Sequence, residues 1–214
     1  MKSTLLNMVA VLFTVTLIAS AGVGAVKILT AEDIAEAKAL ATTAAVKNVL
    51  PEFEKTEDWE QTIDDMPIKV YKAMAADAVV GYAVESMTKN GFGGAIRLMV
   101  GFSTEGKILN VNVLEQKETP GLGTKMAEPE NVLLKSVQGK NPSQMKLSVK
   151  KDGGDVDALT AATISSRAYV DAVARAFNAF NEVAQTGAAA IDGASGATDA
   201  NQSAEHAQEG GQNE

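Results

Sequence analysis

The chain has no cysteine, and its one histidine, His206, lies near the C-terminal end. Without cysteine this chain supplies no disulfide, no thiolate nucleophile and no iron–sulfur ligation. A single histidine excludes a histidine-based catalytic dyad and a histidine-rich metal site. Chemistry performed by the side chains alone is therefore disfavoured, and a bound cofactor is its natural source. Basic residues are also in the minority: 19 Lys and Arg stand against 27 Asp and Glu, a net charge of −8. Nucleic acids and anionic lipid surfaces call for basic stripes, so neither is an expected partner.

What remains is globular in composition. The chain has 214 residues, 46% hydrophobic and 21% charged, which suits one domain with a real core and some attachments. Residues Leu5 to Val26 form an apolar run with no charge between Lys2 and Lys27. At helical rise these residues cover roughly 33 Å, the thickness of a bilayer's hydrocarbon layer. Ala19-Ser20-Ala21 has the look of a signal-peptide cleavage site. The apolar character nevertheless continues through Val23, Val26 and Ile28, which favours a retained anchor. The expected organisation is a short tail at 1–4, an anchor at 5–28, a juxtamembrane helix at 29–50, a domain at 51–186 and a low-complexity, disordered tail at 187–214.

Thr30 and Asp33 are spaced as a capping box, predicting a helix to Val49 that ends before Pro51. Ile34, Leu40, Val46, Val49 and Leu50 are its candidate core positions, while a stalk is the alternative use of its exposed length. The acidic segment Glu52 to Asp65 reads as a loop carrying Trp59 as an anchor. Period-two alternation then predicts strands over 68–73, 78–86, 96–102, 109–113 and 145–150. Ile96, Leu98, Val100 and Phe102 should face opposite to Arg97, Met99 and Gly101. Apolar residues at Val170, Val173, Phe177, Phe180 and Val183 mark a core-facing helix from Ser165 to about Gln185. The expected class is α+β, a mainly antiparallel sheet with helices packed on one face.

Two stretches carry candidate chemistry. Glu118-Thr-Pro-Gly-Leu-Gly-Thr-Lys125 is either a plain Pro/Gly loop or a close-approach loop. In the second case Gly121 and Gly123 bring backbone N–H groups to a planar ligand. Asp157-Ala-Leu-Thr-Ala-Ala-Thr163 runs into the start of the last helix, where unpaired N–H groups and the helix dipole favour a phosphate. On the residues alone, Thr163, Ser165 and Ser166 are equally explained as helix caps.

The second stretch resembles the Asp-x-x-(Ser/Thr)-Gly-Ala-Thr signature at which a flavin transferase joins flavin mononucleotide to a threonine by a phosphodiester. With Glu-Thr-Pro-Gly-Leu-Gly forty residues earlier, the chain resembles the FMN-binding domain family. The likeness extends to G subunits of Rnf-type ion-translocating ferredoxin:NAD oxidoreductases, through Val49-Leu-Pro-Glu-Phe53, Gly91-Phe-Gly-Gly94 and Ser165-Ser-Arg-Ala-Tyr-Val-Asp-Ala-Val173. The C subunit of the sodium-translocating NADH:quinone reductase shares the signature but is usually longer ahead of the flavin loop. The resemblance implies an electron-relay subunit with covalent FMN on Thr163, a single-pass protein of the bacterial inner membrane that works with other membrane subunits and holds its FMN domain on the extracytoplasmic side. It implies FMN contacts at Asp157, Thr160, Ala161 and Ala162, and at Thr119, Gly121, Leu122, Gly123, Thr124 and Lys125. Lys125 or Arg167 would favour an anionic reduced flavin. Ala161 stands where the family usually has glycine, so an ordinary backbone conformation is expected there. A free-standing flavoprotein and a flavin-free anchored interaction module are the competing readings.

Overall fold

The computed structural model describes residues 5–76 and 78–186. The expected terminal tails, 1–4 and 187–214, lie outside the described residues. Helix α1 (Leu5–Leu29) contains a stretch, Asn7–Leu29, that is long and apolar enough to cross a membrane, with a mean hydropathy of 2.2 and nothing packed over it. Helix α2 (Ala31–Val49) follows after a single residue.

Thr30 is not the cap its spacing predicts. Its φ and ψ of −97° and 0° are near-helical, and its hydroxyl donates back to the Val26 carbonyl at 2.9 Å. Its N–H also reaches Val26 O at 3.0 Å, and Ile34 N–H reaches Thr30 O at 3.0 Å. The hydrogen-bond ladder thus passes through Thr30, because a hydroxyl that bonds i−4 removes the need for a break. Only the last turns of α2 pack on the domain: Ala45, Val46, Val49 and Leu50 are buried, whereas Ile34 and Leu40 are exposed. The first three turns therefore form a spacer of about 16 Å between α1 and the sheet.

Five strands form an antiparallel meander in the order β1-β2-β3-β4-β5. They are β1 (Lys55–Ile63), β2 (Met66–Ala75), β3 (Ala78–Thr88), β4 (Ile96–Phe102) and β5 (Ile108–Glu115). The first corrects the expectation of an acidic loop. Its charges belong to an edge strand, where they face water and discourage pairing with another chain. Trp59 anchors it, paired with Val70 and packed on the core. Asp64 and Asp65, at φ 50° and 58°, form the two-residue primed turn that joins paired Ile63 and Met66.

The β4 alternation is as expected: Leu98, Val100 and Phe102 join one core, Met99 the other. In β5 a register shift opposite Gly101 and Phe102 sends Leu109 to the opposite face from Val111, as an inserted residue does in a paired strand. The segment 145–150 is not a strand. It is irregular chain, bent at Met145 and Ser148, with a single parallel bridge from Val149 to Val156 before a short 3-10 turn, Lys150–Asp152.

Helices cover both faces of the sheet rather than one. The end of α2 lies on Ala73, Ala83 and Met99. A methyl group on Gly101 would fall 1.9 Å from the Val49 carbonyl oxygen, so the helix rests directly on the backbone of β4. The other face receives α3 (Val132–Val137) and α4 (Thr163–Thr186). Along α4, Val170, Val173 and Phe180 are buried, each worth about 1.5–3 kcal/mol of apolar burial. Phe177 and Phe180 pack around Phe102, with centroids 6.0 and 5.0 Å away, so these rings are core.

Candidate functional site

Helix α4 begins at Thr163, and the chain before it is closed on the helix by Ser166. That buried hydroxyl accepts from Leu159 N–H at 2.9 Å and donates to Ala162 O at 2.9 Å. The intervening bend forces Ala161 to φ +59°. Left-handed backbone is therefore used here despite the methyl group, contrary to the sequence expectation. Ala162 is buried and Thr160 is exposed.

The hydroxyls in this first turn do not serve as the helix caps that were the plainer reading. Ser165 is buried and donates to the Glu118 carboxylate. Ser166 is taken by Leu159 and Ala162. Thr163 is half-buried, and its oxygen accepts from the Lys151 ammonium at 3.1 Å. The first N–H groups of α4 have no side-chain acceptor among the described residues. The helix start thus keeps its attraction for an anion.

The chain from 146 to 157 fixes the charges around this turn. Lys150 N–H bonds Val156 O at 2.8 Å and Asp152 N–H bonds Val149 O at 2.8 Å, with Val149 and Val156 buried. The Asp152 carboxylate accepts from Arg167 Nε and Nη2, both at 2.7 Å. This charge-assisted fork holds the Asp152 carboxyl below its ordinary range and pushes the Arg167 guanidinium higher. Lys150 pairs with Asp157 at 2.7 Å, and that hydrogen bond is the main reason the Asp157 carboxyl is lowered. Asp157 is also held toward α3, its N–H donating to Ser136 Oγ at 3.0 Å.

The glycine loop meets the same turn. Thr119 O accepts from Leu122 N–H at 3.1 Å and Thr124 N–H at 3.4 Å, and Thr124 Oγ1 accepts from Gly121 N–H at 3.0 Å. Gly121 has φ +75°, which glycine adopts without strain. A methyl group on Gly123 would lie 2.7 Å from both Glu118 Cβ and Ser165 Oγ, so only glycine lets the loop close on α4. Lys125 is exposed and has no ion-pair partner among the described residues.

Glu118 ties these pieces together. It is 4% exposed, and it accepts from Gly93 N–H at 3.0 Å as well as from Ser165. The β3–β4 hairpin loop, the glycine loop and the start of α4 are thereby joined through one carboxylate. The resulting surface has apolar Phe92, Leu122 and Ile164 exposed beside glycine backbone. At its other side lie a hydroxyl, an ammonium and the uncapped helix start. That combination fits FMN: a flat apolar ring needs the first set of groups and a phosphate the second.

Of the residues singled out by sequence, the Thr119–Lys125 loop is brought against the start of α4 through Glu118, Gly123 and Ser165, with Leu122, Thr160 and Ala161 exposed and Gly123 and Ala162 buried. Asp157 is turned aside to Lys150 and Ser136, and Arg167 to Asp152. Sequence reasoning misses Lys151, includes Glu118 in the loop without giving it a role, and explains Ser165 from its residues as a cap. The only signals for the first two are adjacent lysines before Asp-Gly-Gly and a lone acid ahead of the glycine loop.

The family model of the FMN-binding domain matches residues 91–178, which include both loops and most of α4. The chain is 35% identical over 172 residues to the G subunit of the ion-translocating oxidoreductase complex of Shewanella amazonensis, across 74% of this chain and 80% of that one. It is 42% identical over 120 residues to the protein of the same name in Shewanella baltica, across 55% of this chain and 57% of that one. For the Erwinia tasmaniensis protein of that name the values are 41% over 112 residues, 51% and 53%.

Proposed function

Because the chain belongs to the family of G subunits of ion-translocating oxidoreductase complexes and carries an FMN-binding domain, we propose that it relays electrons through FMN held covalently on Thr163. It is a membrane protein whose one described helix of sufficient length and apolarity is α1. In this reading the domain stands outside the bacterial inner membrane and passes electrons among other membrane subunits of a ferredoxin:NAD oxidoreductase. A flavin transferase loads it by forming a phosphodiester on the threonine.

One observation carries the choice of Thr163. Of the three hydroxyls in the first turn of α4, Ser165 and Ser166 are buried and committed to Glu118 and to the loop backbone. Thr163 alone is partly exposed and faces a cation. A phosphoryl group joined there would meet the uncapped N–H groups of the helix start, where the dipole favours negative charge.

When bound, FMN supplies the electron chemistry, and the chain supplies place and field. Thr119, Gly121, Leu122, Gly123 and Thr124 would hold the ring against exposed backbone, with Lys125 adding positive charge at its edge. Asp157, Thr160, Ala161 and Ala162 would set the attachment loop, Asp157 by fixing Lys150 and α3. Covalent attachment removes dissociation as a route of cofactor loss outside the cytoplasm.

Intact mass of the full-length protein, taken from its own membrane or co-expressed with a flavin transferase, tests this. One added FMN, in-gel fluorescence after denaturation and loss of both in Thr163→Val are expected. An unmodified chain, or a flavin mapped to Thr160, would overturn it.

A further inference from the structure

We propose that Lys151 is a positioning residue that holds the counter-charge for the phosphate group on Thr163. This inference rests on the attachment reading above. Three cations lie near Thr163 in the sequence or the fold: Lys150, Lys151 and Arg167. Two are already matched, Lys150 with Asp157 at 2.7 Å and Arg167 with both oxygens of Asp152. Lys151 has no carboxylate partner among the described residues, and its ammonium points at the Thr163 hydroxyl, 3.1 Å away.

That pairing leaves a full positive charge facing a neutral group. A hydroxyl gains little from an ammonium that water would not also give. A phosphodiester oxygen gains a charge-assisted hydrogen bond. In the ester, Thr163 Oγ1 would carry the phosphorus, and the charged oxygens would be two bonds from the atom Lys151 now touches. A lysine side chain spans that change by rotation alone.

Its base is also fixed. The 3-10 turn Lys150–Asp152 closes at Gly153, φ +76°, and stands on buried Val149 and Val156. Asp152 clamps it to α4 through Arg167. Two adjacent lysines therefore diverge from one turn, one to Asp157 and the other to Thr163. Asp157 and Asp152 are thus taken by Lys150 and Arg167, and the Lys151 ammonium is the one that reaches Thr163.

The test compares Lys151→Arg, Lys151→Gln and Lys151→Glu in the full-length protein co-expressed with a flavin transferase. It reads the mass increment on Thr163, the 31P resonance of the phosphodiester and the midpoint potential of the bound flavin. A counter-charge predicts an order set by charge: Arg close to wild type, Gln displaced in 31P shift and lower in potential, Glu further in both directions. The Gln and Glu displacements should shrink in 1 M salt, because an exposed pair is screened. Loss of the flavin from Gln and Glu but not from Arg supports the same role. Unchanged 31P shifts and potentials in Gln and Glu with the flavin in place would overturn it, as would loss of the flavin from all three variants alike. Absence of flavin from wild-type Thr163 would instead sink the attachment reading and leave no phosphate for Lys151 to match.

Discussion

Ser165 and Glu118, 47 residues apart in sequence, are joined by a hydrogen bond in which the buried hydroxyl donates to the buried carboxylate. The other carboxylate oxygen takes Gly93 N–H. A charge this enclosed is tolerated only when donors surround it, and here the donors come from two further segments. The carboxylate thus acts as the tie that keeps the glycine loop against the start of α4.

Glu118→Ala should leave the Gly93 amide and the Ser165 hydroxyl buried without a partner. The expected loss is about 2–4 kcal/mol of unfolding free energy. Glu118→Gln keeps an acceptor for Gly93 and offers Ser165 a donor in exchange, so it should lose only about 1 kcal/mol. Urea unfolding of both variants measures the difference, and equal losses would contradict the tie.

The signals that stayed legible in the sequence were local ones. The α4 stripe and the β4 alternation announce themselves because each side chain's direction follows from its own backbone period. Strand β1 did not, since Glu57, Asp58 and Glu60 satisfy an edge strand and a solvated loop equally well. The segment 145–150 alternates like a strand, but its pairing with 154–156 amounts to a single bridge before the 3-10 turn at Lys150 ends it. In the site, the signature draws attention to Thr163, the proposed acceptor. It does not point to Lys151, because which of two adjacent lysines faces Thr163 depends on how a 3-10 turn is seated. Glu118 was equally hidden, since its partners are set by long-range packing.

Ala161 supplies the second prediction. Its φ of +59° costs an alanine about 1–2 kcal/mol, and glycine removes that strain while adding about 0.4–1 kcal/mol of unfolded-chain entropy. Ala161→Gly should therefore stabilise the domain by roughly 0.5–1 kcal/mol, and Ala161→Val should destabilise it. Thermal unfolding checks the signs, and an Ala161→Gly variant no more stable than the wild type would show that the bend is not strained.

Arg175, further along α4, joins three elements. Its guanidinium reaches Asp64 in the β1–β2 turn and Asp171 at 3.2 Å, while Asp171 accepts from Thr88 Oγ1 at 2.6 Å. Arg175→Met keeps much of the apolar stem but removes the charge from a largely buried position. With Asp64 and Asp171 partly open to water, the expected loss is about 1–3 kcal/mol. Asp64→Asn should lose less, as Asn keeps an acceptor and the turn tolerates it. Urea midpoints of the two variants give the comparison.

Acid should release the turn that carries Lys151. The Asp152 carboxyl is lowered chiefly by the Arg167 hydrogen bonds and the Asp157 carboxyl chiefly by Lys150. A carboxyl with a depressed folded-state pKa stabilises the fold fully above its unfolded value and loses that contribution as pH falls through the folded value. The window therefore opens near pH 4, where free aspartate takes up its proton, and extends below it. Wild type should melt above Asp152→Asn at neutral pH, and the gap should close as pH drops through this window. Both carboxylates are open to solvent, so the gap should be small and should narrow further in 1 M salt. A gap that widened on acidification would mean that Asp152 is not held in its charged form by Arg167.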